Sequence, residues 1–178
     1  MKFLSKLILF KLMRWRIVND FPKLNKYLII AAPHTSWQDF PIGIFVKFIT
    51  GAKINFIGKA SLFKWPFGFL FRWLGGAPVD RSKSTNKVQG IVDIFNANDQ
   101  FILGMSPEGT RQKVDKWKTG FYYIAKGANV PIVMATLDFK HKQVKISDPY
   151  YLTDDIEADF KNFHSYFDGI IGKHQKLT

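Results

Sequence analysis

Apolar residues run almost without interruption at five places: YLIIAAP (Tyr27–Pro33), KINFIG (Lys53–Gly58), APV (Ala77–Val79), FILGMS (Phe101–Ser106) and VPIVMATLDF (Val130–Phe139). Continuous rather than alternating apolar runs of this length predict short strands buried on both faces. Helical spacing fills the gaps, over about residues 36–49, 60–74, 85–97 and 117–128. Strand and helix in regular alternation predict a single α/β domain spanning 1–178, with a largely parallel central sheet flanked by helices. Val144–Leu152 predicts a further strand, antiparallel after the short connection 140–143. A last helix is expected after Thr153 as N-cap, with Ile156, Phe160, Phe163, Phe167 and Ile170 on one stripe. His164 and His174 lie on or beside it without metal-ligand spacing and read as surface residues.

The first 18 residues, MKFLSKLILFKLMRWRIV, predict an N-terminal amphipathic helix. At about 100° per residue, Phe3, Leu4, Leu7, Ile8, Phe10, Leu12, Trp15, Ile17 and Val18 cover a wide arc, with Lys2, Ser5, Lys6 and Arg16 opposite. Lys6, Lys11, Arg14 and Arg16 break the apolar run well short of the roughly 20 residues a spanning helix needs, and no small-residue cleavage site follows. The segment is expected neither to span nor to be exported. Residues 1–20 thus read as an interfacial membrane helix, or as a helix docked on its own domain; 27–139 as the core that carries the motifs; and 140–178 as a C-terminal strand and helix.

Charge narrows the class of partner. The 178 residues hold 26 Lys+Arg against 14 Asp+Glu, a net +12. Residues 1–26 and 53–87 each carry seven cations and one acid, whereas 138–178 carry six cations and seven acids. A basic surface of this kind suits an anionic partner. The 18 Phe and five Trp beside it favour anionic membrane lipid. Nucleic acid is not expected, because no nucleic-acid motif is present and the aromatics lie in apolar runs instead of alternating with cations. The absence of Cys removes disulfides, thiolate nucleophiles and Cys-type zinc or iron–sulfur sites.

Two segments carry candidate chemistry at strand ends, where open α/β sheets place their ligands. In APHTSWQDF, His34 leaves the first long strand and Asp39 follows five residues later. On one continuous helix that spacing is about 140° of rotation, so the two meet only if a turn intervenes. Ser36 as N-cap with Asp39 at N3 supplies such a turn. Asp39 could then hold one ring nitrogen of His34 and leave the other as a general base. The same residues also fit a plain capping box with His34 as a polar loop residue. In SPEGTR, Gly109 permits close backbone approach, Thr110 offers a hydroxyl, and Arg111 can fork onto phosphate or carboxylate. Glu108, one of only two Glu in the chain, could alternatively pair with Arg111 structurally. Lys59 and Arg81 leave neighbouring strands at the same edge as candidate anion ligands. Between them Phe63, Trp65, Phe67, Phe69, Leu70, Phe71 and Trp73 form a helix or broken helix around Pro66 and Gly68, readable as core or as a face for acyl chains or bilayer.

In this order the segments resemble the glycerolipid and lysophospholipid acyltransferase family over about residues 27–139. HTSWQD matches its HxxxxD motif, Lys59 to Arg81 looks like its second block, SPEGTR matches its EGTR block, and VPIV with Pro131 looks like its fourth. Pro33 departs from the pattern, standing where many members have Asn. The resemblance implies His34 as general base and Asp39 as its orienting partner, with Arg81, Glu108, Gly109, Thr110, Arg111 and, less directly, Lys59 shaping the pocket for the acceptor's phosphate or polar head. It implies a peripheral enzyme at the cytoplasmic face of the membrane that moves a fatty acyl group from acyl-CoA or acyl carrier protein to a lysolipid. No metal or cofactor is expected beyond that thioester co-substrate. The resemblance also admits a non-glycerol lysolipid or amino-acid lipid acceptor, or a non-catalytic lipid-binding relative. The lack of Cys and of a GxSxG elbow agrees with direct transfer without a covalent enzyme intermediate.

Overall fold

A computed structural model describes residues 1–79, 87–153 and 155–177. In chain order the strands are β1 (Arg16–Val18), β2 (Lys26–Ala32), β3 (Ile54–Lys59), β4 (Gly76–Val79), β5 (Phe101–Met105), β6 (Ile132–Thr136) and β7 (Gln143–Lys145). The α-helices are α1 (Lys2–Lys6), α2 (Asp39–Thr50), α3 (Gly68–Trp73), α4 (Lys87–Ala97), α5 (Gly120–Ala128) and α6 (Ile156–Phe167). Five strands form one all-parallel sheet in the order β4-β3-β5-β2-β6.

Strand β2 shows why its residues are apolar on both sides. Side chains alternate across a strand. Leu28, Ile30 and Ala32 enter one core layer with Phe95 of α4, Phe121 of α5 and Phe163 of α6. Tyr27 and Ile29 enter the other with Leu9, and with Ile42 and Val46 of α2. Burying a side chain of this size contributes roughly 1.5–3 kcal/mol, so past Lys26 at its start both faces of β2 are apolar. The α/β architecture, with its parallel sheet between helices, is the one the apolar runs predict.

The N-terminal helix is present but shorter than the periodicity suggests. After α1 the chain continues as a π-helical segment, Leu7–Leu12, then reverses at Arg14, whose φ of 58° is left-handed. That reversal sends Trp15 into the core, edge-on to Phe139 at 4.9 Å. Ile17 and Val18 become strand β1, which pairs in parallel with β7 in a separate two-stranded sheet. These three apolar residues therefore face protein. Phe3, Leu4, Leu7 and Leu12 remain exposed.

The segment after β6 differs similarly. Only Gln143–Lys145 is a strand, and its ladder partner is β1 in parallel; the antiparallel contacts expected here survive as single bridges, Ala135 to Ile146 and Ile132 to Tyr150. The last helix is capped by Asp155, not Thr153: the Asp155 carboxylate accepts from the backbone N–H of Glu157 and Ala158, each at 3.0 Å. Thr153 instead donates its hydroxyl to Asp159 at 2.9 Å.

The aromatic segment is broken as Pro66 and Gly68 foretold, into a 3-10 turn, Ala60–Phe63, and α3. Phe63 is buried, while Trp65, Phe67, Phe69 and Trp73 are exposed, so this stretch is only partly core. A Cβ on Gly68 would lie 2.1 Å from the backbone oxygen of Phe63. No side-chain rotation relieves a clash with backbone, so Gly68→Ala should lower stability by about 1–3 kcal/mol, read as a drop in thermal midpoint with the far-UV spectrum retained.

Candidate functional site

The carboxyl ends of β2 and β5 lie side by side, because Ile30 is in register with Met105. Pro33 and His34 continue from β2, and Ser106 to Arg111 continue from β5. His34 Nδ1 lies 2.9 Å from Asp39 Oδ2; the His34 side chain is 26% exposed and that of Asp39 2%. The same Asp39 oxygen accepts from the backbone N–H of Ser36 at 2.9 Å, and Ser36 Oγ accepts from Gln38 N–H at 3.2 Å. The helix itself starts at Asp39, with Gln38 as its N-cap residue, so the Ser36-to-Asp39 turn precedes it. The expected Ser36 N-cap with Asp39 at N3 is therefore not formed: Gln38 holds the cap position and Asp39 is the first helical residue, its carboxylate both bracing the turn and contacting the imidazole. Asp39 Oδ1 is buried with no hydrogen-bond partner among the described residues.

Glu108 reaches across from the other strand end. Its Oε2 accepts from the backbone N–H of His34 at 2.8 Å and from Ser106 Oγ at 3.2 Å. Glu108 is buried, and that burial pushes its carboxyl above the usual 4.5 despite those hydrogen bonds. Glu108 therefore braces the backbone that presents His34, a contact the pairing with Arg111 would not have supplied. A carboxyl raised on folding holds its proton more tightly in the native state, so stability should fall as pH rises above 4.5 toward neutrality. Glu108→Gln should remove that component, and the gap between variant and wild-type thermal midpoints should widen in the variant's favour across this range.

The remaining expected residues are placed differently. Gly109 has a φ of 67°, and a Cβ there would sit 2.9–3.0 Å from the stem and ammonium of Lys118. Lys118 is tied to this turn through its backbone N–H, which donates to the Pro107 carbonyl at 2.9 Å. Thr110 Oγ1 accepts from Gln112 N–H at 3.3 Å, and Arg111 is exposed at the rim. Lys59 ends β3 with an exposed side chain, two strands from His34 and so about 10 Å across the sheet. Arg81 lies outside the described residues. Among the described residues no group of three His, Asp or Glu converges as a metal site requires.

Sequence reading missed three supports. Lys118 falls at the start of the helix expected over 117–128, which begins at Gly120. Ser106 was read as the end of a strand. The third lies at the other end of the chain: a Cβ on Gly172 would meet Thr35 Oγ1 at 2.6 Å, and His174 N–H donates to Thr35 Oγ1 at 3.3 Å. The C-terminal segment thus packs against the loop between His34 and Asp39, and only the glycine hinted at such an approach. A second His–Asp contact, His141 Nδ1 to Asp138 Oδ2 at 2.7 Å, closes the turn before β7 together with His141 N–H and Gln143 Nε2.

Comparison with known proteins bears on the family and the fold. The family model for acyltransferases matches residues 14–137. A 1-acyl-sn-glycerol-3-phosphate acyltransferase from Haemophilus influenzae is 24% identical, over 74% of this chain and 56% of its own length. The chain thus spans little more than half of that relative. The crystal structure of the 1-acyl-sn-glycerophosphate (LPA) acyltransferase PlsC from Thermotoga maritima superposes with a TM-score of 0.67 and 22% identity, covering 93% of this chain and 74% of that one, and shows that the two share a fold. With its family model matched from before β2 to just past β6, the chain belongs to the acyltransferase family.

Proposed function

We propose that this protein transfers a fatty acyl group from a thioester, acyl-CoA or acyl carrier protein, to the hydroxyl of a lysophospholipid such as 1-acylglycerol-3-phosphate. The observation that carries this reading is the His34–Asp39 contact at the sheet edge, 2.9 Å from Nδ1 to Oδ2. With Nδ1 donating to Asp39, the free nitrogen Nε2 is left with its lone pair. It removes the acceptor's hydroxyl proton as the oxygen attacks the thioester carbon. The tetrahedral intermediate then collapses, the C–S bond breaks, and the thiol leaves with the proton His34 took, assisted by Asp39's stabilisation of the imidazolium. Backbone N–H groups of the turn 106–111 are the candidates for holding the oxyanion. Arg111, Lys59 and Arg81, joined by Lys118 beside Gly109, supply the cations for an acceptor's phosphate.

Peripheral attachment at the cytoplasmic face, through the N-terminal helix, completes the proposal. Among the described residues no helix is long and apolar enough to cross a membrane. Phe3, at 81% exposure, and Trp65, at 93%, present apolar surface beside cations, as interfacial segments do. The test is to incubate purified protein with both thioesters and a panel of lysolipid and amine acceptors and to identify products by mass. Acylated lysophosphatidate is expected; no acylated product from any pair would overturn the reading.

A further inference from the structure

One cleft among the described residues lies away from His34. It opens at the amino ends of β2, β3 and β5, bordered by Tyr27, Asn55 and Phe101, and has a volume of about 1290 Å³. Seven-residue β2 separates it from the candidate site by about 20 Å. Five lysines line it, Lys2, Lys6, Lys23, Lys47 and Lys53, against a single acid, Asp20. Lys47 is committed, donating to the carbonyls of Ile54 and Leu74 at 2.6 Å each. Lys2, Lys6, Lys23 and Lys53 are exposed, and their ammonium groups make no hydrogen bond or ion pair among the described residues. Phe10, Phe21 and Phe48 supply apolar wall between them.

The N-terminal helix joins this cleft to an apolar surface. Lys2, Lys6 and Phe10, each four residues apart, look onto the cleft, while Ser5 and Leu9 are buried against the domain. Phe3 and Leu7, beside the lysine row, are 81% and 49% exposed. An amphiphile whose chains lie along Phe3 and Leu7 would bring an anionic head over the four lysines. The volume exceeds the roughly 300–1,000 Å³ typical of a site for a small metabolite. We propose that this cleft binds the head group of an anionic bilayer phospholipid, at a site separate from the one where acyl transfer takes place.

Saturable binding with a defined residue set distinguishes such a site from diffuse surface charge. Two double variants remove the same charge: Lys23→Gln/Lys53→Gln in the cleft, and Lys161→Gln/Lys176→Gln on exposed surface away from it. Binding is measured to phosphatidylcholine vesicles with and without phosphatidylglycerol, and by titration with monomeric short-chain phosphatidylglycerol, with inorganic phosphate as the comparison. The cleft variant should lose about thirtyfold in affinity for the anionic vesicles, on the scale expected for removing two basic residues at such a surface. It should also lose saturable one-to-one binding of the short-chain lipid, while the distant variant stays close to wild type. Equal losses in both variants, no saturable lipid binding by wild type, or inorganic phosphate binding as tightly as the lipid would each overturn the proposal. Acyl transfer between soluble short-chain substrates should be unchanged in the cleft variant, so failure here and failure of the acyltransferase reading give different results.

Discussion

His34→Ala should lower kcat for acyl transfer to 1-acylglycerol-3-phosphate by about 10³-fold or more, at the upper part of the range for a positioned general base. The size of the effect follows from geometry. Asp39 contacts one ring nitrogen at 2.9 Å, and the proposed mechanism uses the opposite nitrogen as the base. Its removal has a second, structural consequence. Asp39 Oδ1 has no partner among the described residues, and without the imidazole Oδ2 keeps only the Ser36 N–H. A buried carboxylate that loses a donor costs about 1–3 kcal/mol, so the alanine variant should also melt earlier. His34→Gln, whose amide can still donate toward Asp39, should recover part of the melting temperature and none of the activity. Near-normal transfer by a folded His34→Ala protein would remove His34 from the mechanism.

Parts of this site were legible because they are local. The strand end before His34, the turn that brings Asp39 back to it, and the Gly109 turn all depend on residues within six positions of one another, and their spacing carries the information. The same holds for β2, whose two faces are apolar past Lys26, and for the break at Pro66 and Gly68. What stayed hidden depends on distant partners. Trp15, Ile17 and Val18 fall on the apolar arc of the helical wheel, yet face protein, because burial in protein and burial in lipid select the same residue types. The N-cap lies two residues beyond the expected Thr153, whose hydroxyl is taken by the buried Asp159 carboxylate. Glu108 offered two plausible partners, and its actual one, the His34 backbone 74 positions earlier, has no sequence signal.

Asp159→Ala should be the most destabilising single substitution outside the candidate site. This carboxylate is fully buried and accepts from Tyr122 OH at 3.0 Å, Tyr150 OH at 2.7 Å and the Thr153 hydroxyl and N–H. It joins α5, the segment after β7 and α6 in one network. Alanine leaves several buried donors unmatched at once, for an expected loss of about 3–5 kcal/mol, a large fraction of the 5–15 kcal/mol typical of a domain. Chemical denaturation at neutral pH measures it. Burial raises the Asp159 pKa, and the hydrogen bonds from Tyr150, Thr153 and Tyr122 together outweigh it, leaving the group below its usual 3.8. A depressed carboxyl adds stability above 3.8 that disappears as pH falls through the lower native value. The wild type should therefore lose its advantage over the variant in acid, and a difference that stays constant down to pH 2 would count against this network.

The pairing of β1 with β7 couples two things that lie far apart in sequence. Arg16 N–H bonds the Lys142 carbonyl and Ile146 N–H bonds the Val18 carbonyl, each at 2.9 Å. From β7 a short turn leads to β6, and β6 is in register with β2, with Ala32 opposite Thr136, two residues before His34. The path from the N-terminal helix to His34 thus runs through β ladders and short turns. A helix resting on a bilayer would therefore fix the tilt of the whole sheet, and with it the depth at which Nε2 meets a lipid hydroxyl. Acceptors that carry that hydroxyl at different heights above the acyl chains would then be sorted by elevation before any pocket residue touches them.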